Sequence, residues 1–173
     1  CQMLSGIKHP NVIRYLGTYQ DGPSGTQVLF MELMEESLTS LLERSSKPLP
    51  FHTEVNLCHD IILALEYLHS NDIIHRDLSS NNVLLSEGGR TAKVTDFGMA
   101  RLISTCNDTP LLTQAPGCPL YMPPEALSDP PVYTERLDVF SFGVLTIQIL
   151  TLETPNPGPS KQKIKDPKYP VPI

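Results

Sequence analysis

Residues 12–19 (Val-Ile-Arg-Tyr-Leu-Gly-Thr-Tyr) and 27–33 (Gln-Val-Leu-Phe-Met-Glu-Leu) are rich in β-branched, aromatic and aliphatic side chains, which predicts two strands. Between them, Asp21-Gly22-Pro23-Ser24-Gly25 concentrates turn formers, so the pair reads as a hairpin. From Thr53, read as an N-cap, the apolar positions Val55, Cys58, Ile61, Ile62, Leu65 and Leu68 recur at helical spacing. His59, Asp60 and Glu66 fall on the opposite face, so an amphipathic helix is predicted that ends near Asn71. Val83-Leu84-Leu85 and Ala92-Lys93-Val94 flank Glu87-Gly88-Gly89-Arg90 and predict a second short strand pair. Asp138 to Thr151 is apolar nearly all round, as expected of a helix buried inside a helical lobe. The fold class is therefore α+β, with the helices mostly in one half.

Composition narrows the function classes. A chain of 173 residues with 40% hydrophobic and 18% charged residues can bury a real core and is not a disordered segment. Its net charge of −6 argues against a nucleic-acid partner. The longest apolar stretch, Phe140 to Leu152, is interrupted by Ser141, Gly143, Thr146, Gln148 and Thr151. It falls short of the roughly 20 apolar residues of a membrane span, and residues 1–8 lack the pattern of a signal peptide. The four cysteines, Cys1, Cys58, Cys106 and Cys118, show no C-x-x-C spacing. They read as free thiols of a reducing compartment, hence a cytoplasmic expectation, although a membrane-tethered parent would read the same. The 17 prolines crowd after Pro110, so the tail is expected to be extended or loop-like. The opening on Cys1, with no initiator Met, suggests an excised piece.

Chemistry-bearing residues gather in one stretch. His75-Arg76-Asp77-Leu78-Ser79-Ser80-Asn81-Asn82 leads into the strand Val83-Leu84-Leu85. Asp96-Phe97-Gly98 ends the next strand, Pro123-Pro124-Glu125 follows, and Asp138-Val139-Phe140-Ser141-Phe142-Gly143 opens the long apolar helix. Taken singly, Asp77 reads as a turn aspartate and Asp96 as a strand-end turn. Together they meet the needs of phosphoryl transfer, which are positioning and charge neutralisation. Asp77 supplies a carboxylate to meet an acceptor hydroxyl, while Asn82 and Asp96 supply hard oxygens for magnesium.

The ordered set resembles the protein kinase family, through its His-Arg-Asp, the Asn five places after that Asp, Asp-Phe-Gly, and a close Ala-Pro-Glu equivalent. The resemblance implies a two-lobe kinase fold, with ATP and Mg2+ as cofactors and a protein substrate as partner. It implies a catalytic group of Asp77, Asn82, His75 and Arg76, with Asn82 and Asp96 as metal ligands. Met31 falls at the gatekeeper position and Glu32-Leu33-Met34 at the hinge, so Met34 and Leu84, with Asn82 and Asp96, are implied nucleotide contacts. Leu4, Tyr15, His75 and Phe97 match the family's stacked regulatory column, anchored by Asp138. Arg76 would pair with a phosphorylated activation segment, for which Ser104, Thr105, Thr109, Thr113 and Tyr121 are acceptors.

On this resemblance, residues 1–34 are the remnant of the N-lobe and 35–173 part of the C-lobe. The Gly-rich phosphate loop, the strand lysine and its glutamate partner do not occur; the glutamate would sit just before Cys1. A truncated domain is therefore expected, inactive as an isolated piece and joined to other domains in its parent. Ser79 stands where serine/threonine kinases carry Lys, and Cys118 where their Gly-Thr-Pro run carries Thr. The tyrosine-kinase-like branch reconciles these signals, so Ser/Thr acceptors are expected, with Tyr possible. The alternative is a pseudokinase or a truncated, non-catalytic scaffold.

Overall fold

Strands β1 (Tyr15–Gln20) and β2 (Gln27–Met31) pair antiparallel, with Gln20 opposite Gln27 and a bulge between Tyr15 and Gly17. The Asp21 N–H closes the turn on the Thr26 carbonyl at 2.8 Å. The chain's structure, a computed structural model, describes residues 6–22, 26–86, 88–96, 100–102, 118, 120–127 and 133–155. The hairpin is the predicted one, but it begins later than the sequence suggests. Residues 11–13 instead join the second strand pair: the Ile13 N–H donates to the Val94 carbonyl, and the Val94 N–H to the Asn11 carbonyl, both at 2.9 Å.

Strand β3 (Glu36–Ser37), too short to leave a pattern, pairs with β5 (Val83–Ser86), which pairs in turn with β6 (Thr91–Val94). Directly after β3 comes α1 (Leu38–Arg44), whose N-terminus is capped by the Ser37 hydroxyl accepting from the Ser40 N–H at 3.2 Å. Strand β4 (Ile73–Ile74) pairs with β7 (Arg101–Leu102).

Helix α2 (Phe51–Ser70) starts two positions before the predicted cap. The Pro50 carbonyl accepts from the N–H groups of Thr53 and Glu54, so Thr53 lies inside the first turn. Pro50, with φ of −57°, is already set for helix entry. The buried face is also rotated from the predicted one: Leu57, Ile61, Ala64, Leu65 and Leu68 face the core, whereas Val55 and Ile62 are exposed. Fully buried Leu57, Ile61 and Leu68 each contribute about 1.5–3 kcal/mol of transfer free energy.

Helix α3 (Arg136–Thr151) packs on α2 through one face, where Leu137, Leu145 and Ile149 are fully buried. Burial all round is not what is found. Val139, Phe140, Ile147 and Leu150 are exposed among the described residues, at 57%, 38%, 63% and 47%. The core runs continuously from Leu38 and Leu41 through α2 to Leu85, Val94 and Ile149. It joins the loop after β4, the β5–β6 pair and the later turns of α3, while Leu137 at the start of α3 packs with Ala126 and Tyr133.

Candidate active site

At the start of α3, Asp138 is fully buried, and a buried carboxylate is tolerated only with its lone pairs engaged. Its Oδ2 accepts from the His75 N–H at 2.8 Å and its Oδ1 from the Arg76 N–H at 2.9 Å. His69 Nε2, from the last turn of α2, lies 2.9 Å from the same Oδ2. This clamp holds Arg76 in a left-handed backbone conformation, φ of 71°, that L-residues otherwise avoid. The Arg76 guanidinium lies 4.7 Å from the centre of the Tyr133 ring, a cation–π contact.

His75 is fully buried, and its ring joins two parts of the site. Nδ1 accepts from the Asp77 N–H at 3.3 Å, so the proton sits on Nε2 and is donated to the Thr95 carbonyl at 2.8 Å. His75 and Arg76 are thus buried, and the His75 ring meets the Asp77 backbone N–H. Their places in the fold were legible in the sequence. That Asp138 clamps both N–H groups was not, because the two segments lie over sixty residues apart.

Asp77 is half-buried, and both of its oxygens are engaged. Asn82 donates its side-chain amide to the Asp77 carbonyl at 2.7 Å and to Asp77 Oδ2 at 2.9 Å. The Cys118 N–H donates to Oδ1 at 2.9 Å. Cys118 makes this contact through its backbone, so the identity of its side chain does not report it. The Thr95 N–H donates to the Asn82 carbonyl at 2.9 Å, fixing the residue before Asp96 against Asn82. Asp96 is exposed, with φ of 61°. Asn82 spends its amide N–H groups on Asp77 and keeps Oδ1 as a hard oxygen acceptor. Together with the Asp96 carboxylate, that is a hard-oxygen donor set suited to a magnesium ion.

The segment after β2 is pinned at both ends. Its Glu32 N–H donates to the Arg14 carbonyl at 3.0 Å, and the Glu35 N–H donates to the Leu85 carbonyl at 2.9 Å. Between these points the Glu32 carbonyl and the Met34 N–H bond to no other backbone group among the described residues. Met34 and Leu84 are half-buried, and Leu84 pairs with Ser37 across β5 and β3. The Glu32 carboxylate receives Lys93 Nζ at 2.8 and 2.9 Å and the Arg14 N–H at 2.6 Å.

Other expected residues divide differently. Tyr15 lies in β1, while Leu4, Phe97, Ser104, Thr105, Thr109 and Thr113 lie outside the described residues. Tyr121 is not a free acceptor: it is 5% exposed and its hydroxyl is hydrogen-bonded within the core. No helix among the described residues is long and apolar enough to cross a membrane.

Comparison with known proteins places the chain in a family. The family model of the protein kinase domain matches residues 1–169. The cAMP-dependent protein kinase type 3 of Saccharomyces cerevisiae is 39% identical over 154 residues, 89% of this chain and 36% of that protein. The serine/threonine-protein kinase TNNI3K of Mus musculus is 36% identical over 155 residues, 88% of this chain and 18% of that protein. The crystal structure of the yeast RNA Pol II CTD kinase CTDK-1 complex contains a chain matched with a TM-score of 0.75 at 27% identity. That match covers 88% of this chain and 48% of the other. The chain thus spans little more than a third of one curated relative and less than a fifth of the other.

Proposed function

Because this chain belongs to the protein kinase family, we propose that it carries the catalytic-loop half of an ATP- and Mg2+-dependent protein kinase acting on Ser or Thr hydroxyls. The observation that supports this best is the Asn82 bridge. One side chain holds Asp77 through its amide nitrogen, while its backbone carbonyl ties it to the strand end before Asp96.

In this reading Asp77 orients the acceptor hydroxyl and takes up its proton as the new O–P bond forms and the bond to ADP breaks. Asn82 and Asp96 would hold Mg2+, which neutralises charge on the phosphates. The Glu32 carbonyl and Met34 N–H offer an acceptor and a donor to the adenine edge, and Leu84 offers an apolar contact. His75, Arg76 and Asp138 keep Asp77 in place. Domain bounds of 1–34 and 35–173 place the adenine-facing segment at the junction of the lobes, and a protein substrate meets Asp77 from the C-lobe side.

The test is Asp77→Asn in the full-length protein, assayed with Mg2+-ATP and a general protein acceptor. Phosphate transfer is expected to vanish while nucleotide binding stays nearly intact; equal activity in the two proteins overturns the reading. A second reading, a non-catalytic binding module, draws on Ser79 and Cys118 standing where kinases usually carry Lys and Thr. Partner binding with no measurable Mg2+-ATP affinity would favour it.

A further inference from the structure

A buried chain of hydrogen bonds runs from α1 to α3 through the turn that presents Asn82. Thr39 Oγ1 donates to Ser80 Oγ at 2.7 Å, Ser80 Oγ lies 3.1 Å from the Tyr121 hydroxyl, and that hydroxyl donates to Gln148 Oε1 at 2.6 Å. Ser80, Tyr121 and Gln148 are 3%, 5% and 6% exposed. Each hydroxyl has one proton. The Tyr121 proton goes to Gln148, so Tyr121 can only accept from Ser80; Ser80, having donated, can only accept from Thr39. The direction of every bond is thereby settled, and aligned bonds of this kind polarise one another.

We propose that Thr39, Ser80, Tyr121 and Gln148 form a one-way relay that positions the catalytic turn, with Ser80 as its positioning residue. Ser80 opens the short 3-10 helix Ser80–Asn82, and the Asn82 N–H donates to the Ser79 carbonyl at 3.0 Å. The Ser141 hydroxyl donates to the Tyr121 carbonyl at 2.8 Å, which fixes Tyr121 on α3. The turn is therefore gripped from α1 on one side and α3 on the other, two residues before Asn82. A displacement of this turn moves Asn82 and Asp77 together, and small displacements of reacting groups are costly to rate.

The inference rests on the reading of Asp77 and Asn82 as the transfer centre, and its test separates the two. In the full-length protein, Ser80→Ala is expected to lower kcat by about tenfold with the KM for ATP unchanged. Thr39→Val should lower kcat in the same direction, and Thr39→Ser, which keeps the donor, should restore it. Independently of activity, Thr39→Val and Tyr121→Phe should lower the melting temperature together by less than the sum of their separate effects, since the two residues are joined through Ser80. Wild-type kcat in both Ser80→Ala and Thr39→Val, or additive melting shifts, overturns the relay. If the unaltered protein transfers no phosphate, the kinase reading fails, and the melting cycle alone still decides the relay.

Discussion

Asn82 donates its side-chain amide to Asp77 twice, at 2.7 Å to the backbone carbonyl and at 2.9 Å to the carboxylate. The same residue therefore restrains Asp77 and, on the kinase reading, offers its own oxygen to the metal. Two substitutions separate these functions. In the full-length protein, on the kinase reading proposed above, Asn82→Ala loses both and is expected to lower the phosphate-transfer rate by about a hundredfold or more. Asn82→Asp keeps an oxygen ligand but sets a second carboxylate against Asp77, so like-charge repulsion should leave it as impaired at neutral pH. Initial rates on the three proteins check this; near-normal rates in Asn82→Asp would show that the amide N–H groups are dispensable.

Asp138 makes a different kind of contribution, to the backbone rather than to the chemistry. Its buried carboxylate accepts from the N–H groups of His75 and Arg76. In Asp138→Asn, one of these must face an NH2 group and lose its acceptor. A destabilisation of about 3 kcal/mol is expected, read as a lower denaturation midpoint at unchanged slope. The left-handed Arg76 loses a backbone restraint at the same time, so on the kinase reading the transfer rate of the full-length protein should fall even where it remains folded.

Cys58 sits half-buried on α2, its Sγ 4.0 Å from Thr146 Oγ1. Burial pushes its pKa up from 9.0, the Thr146 hydrogen bond opposes that, and the charge of Glu54 adds to it. Less thiolate forms near neutral pH than at an unstructured cysteine. Alkylation of Cys58 in the folded protein should accordingly be several-fold slower than in urea, as followed by peptide mass analysis. Equal rates would show that α2 and α3 part readily at this point.

What the sequence disclosed and what it hid follow a physical division. The hairpin, α2, the β5–β6 pair and α3 come from local periodicity and turn chemistry, and these are where sequence reasoning succeeded. Asp77, Asn82 and Asp96 could be singled out as candidates because their order and spacing are distinctive. Strand β3 was missed because a two-residue strand leaves no period. The rotation of the buried face of α2 was missed because Val55 and Ile62 are apolar yet exposed, and hydrophobicity alone does not report exposure. Asp138 and Cys118 reach the loop from afar in the chain, so their hydrogen bonds come from tertiary packing that no local pattern encodes.

Glu32 and Lys93 join the end of β2 to β6, Lys93 Nζ lying 2.8 Å from Oε1, with both side chains 18% exposed. Desolvation alone would raise the Glu32 pKa; the hydrogen bonds from Lys93 and the Arg14 N–H, with the two positive charges, outweigh it and hold the carboxyl below 4.5. A carboxylate with a depressed folded pKa contributes stability that is fully present above its unfolded pKa. That contribution is lost as pH falls through the folded value. The melting-temperature gap between the unaltered protein and Glu32→Gln should therefore be constant from about pH 5.5 to 8 and shrink below about pH 4.5. Because the pair is largely shielded, moderate salt should narrow the gap only in part. A gap that persists unchanged to pH 3 would show that packing of the Glu32 stem, not its charge, supports this junction.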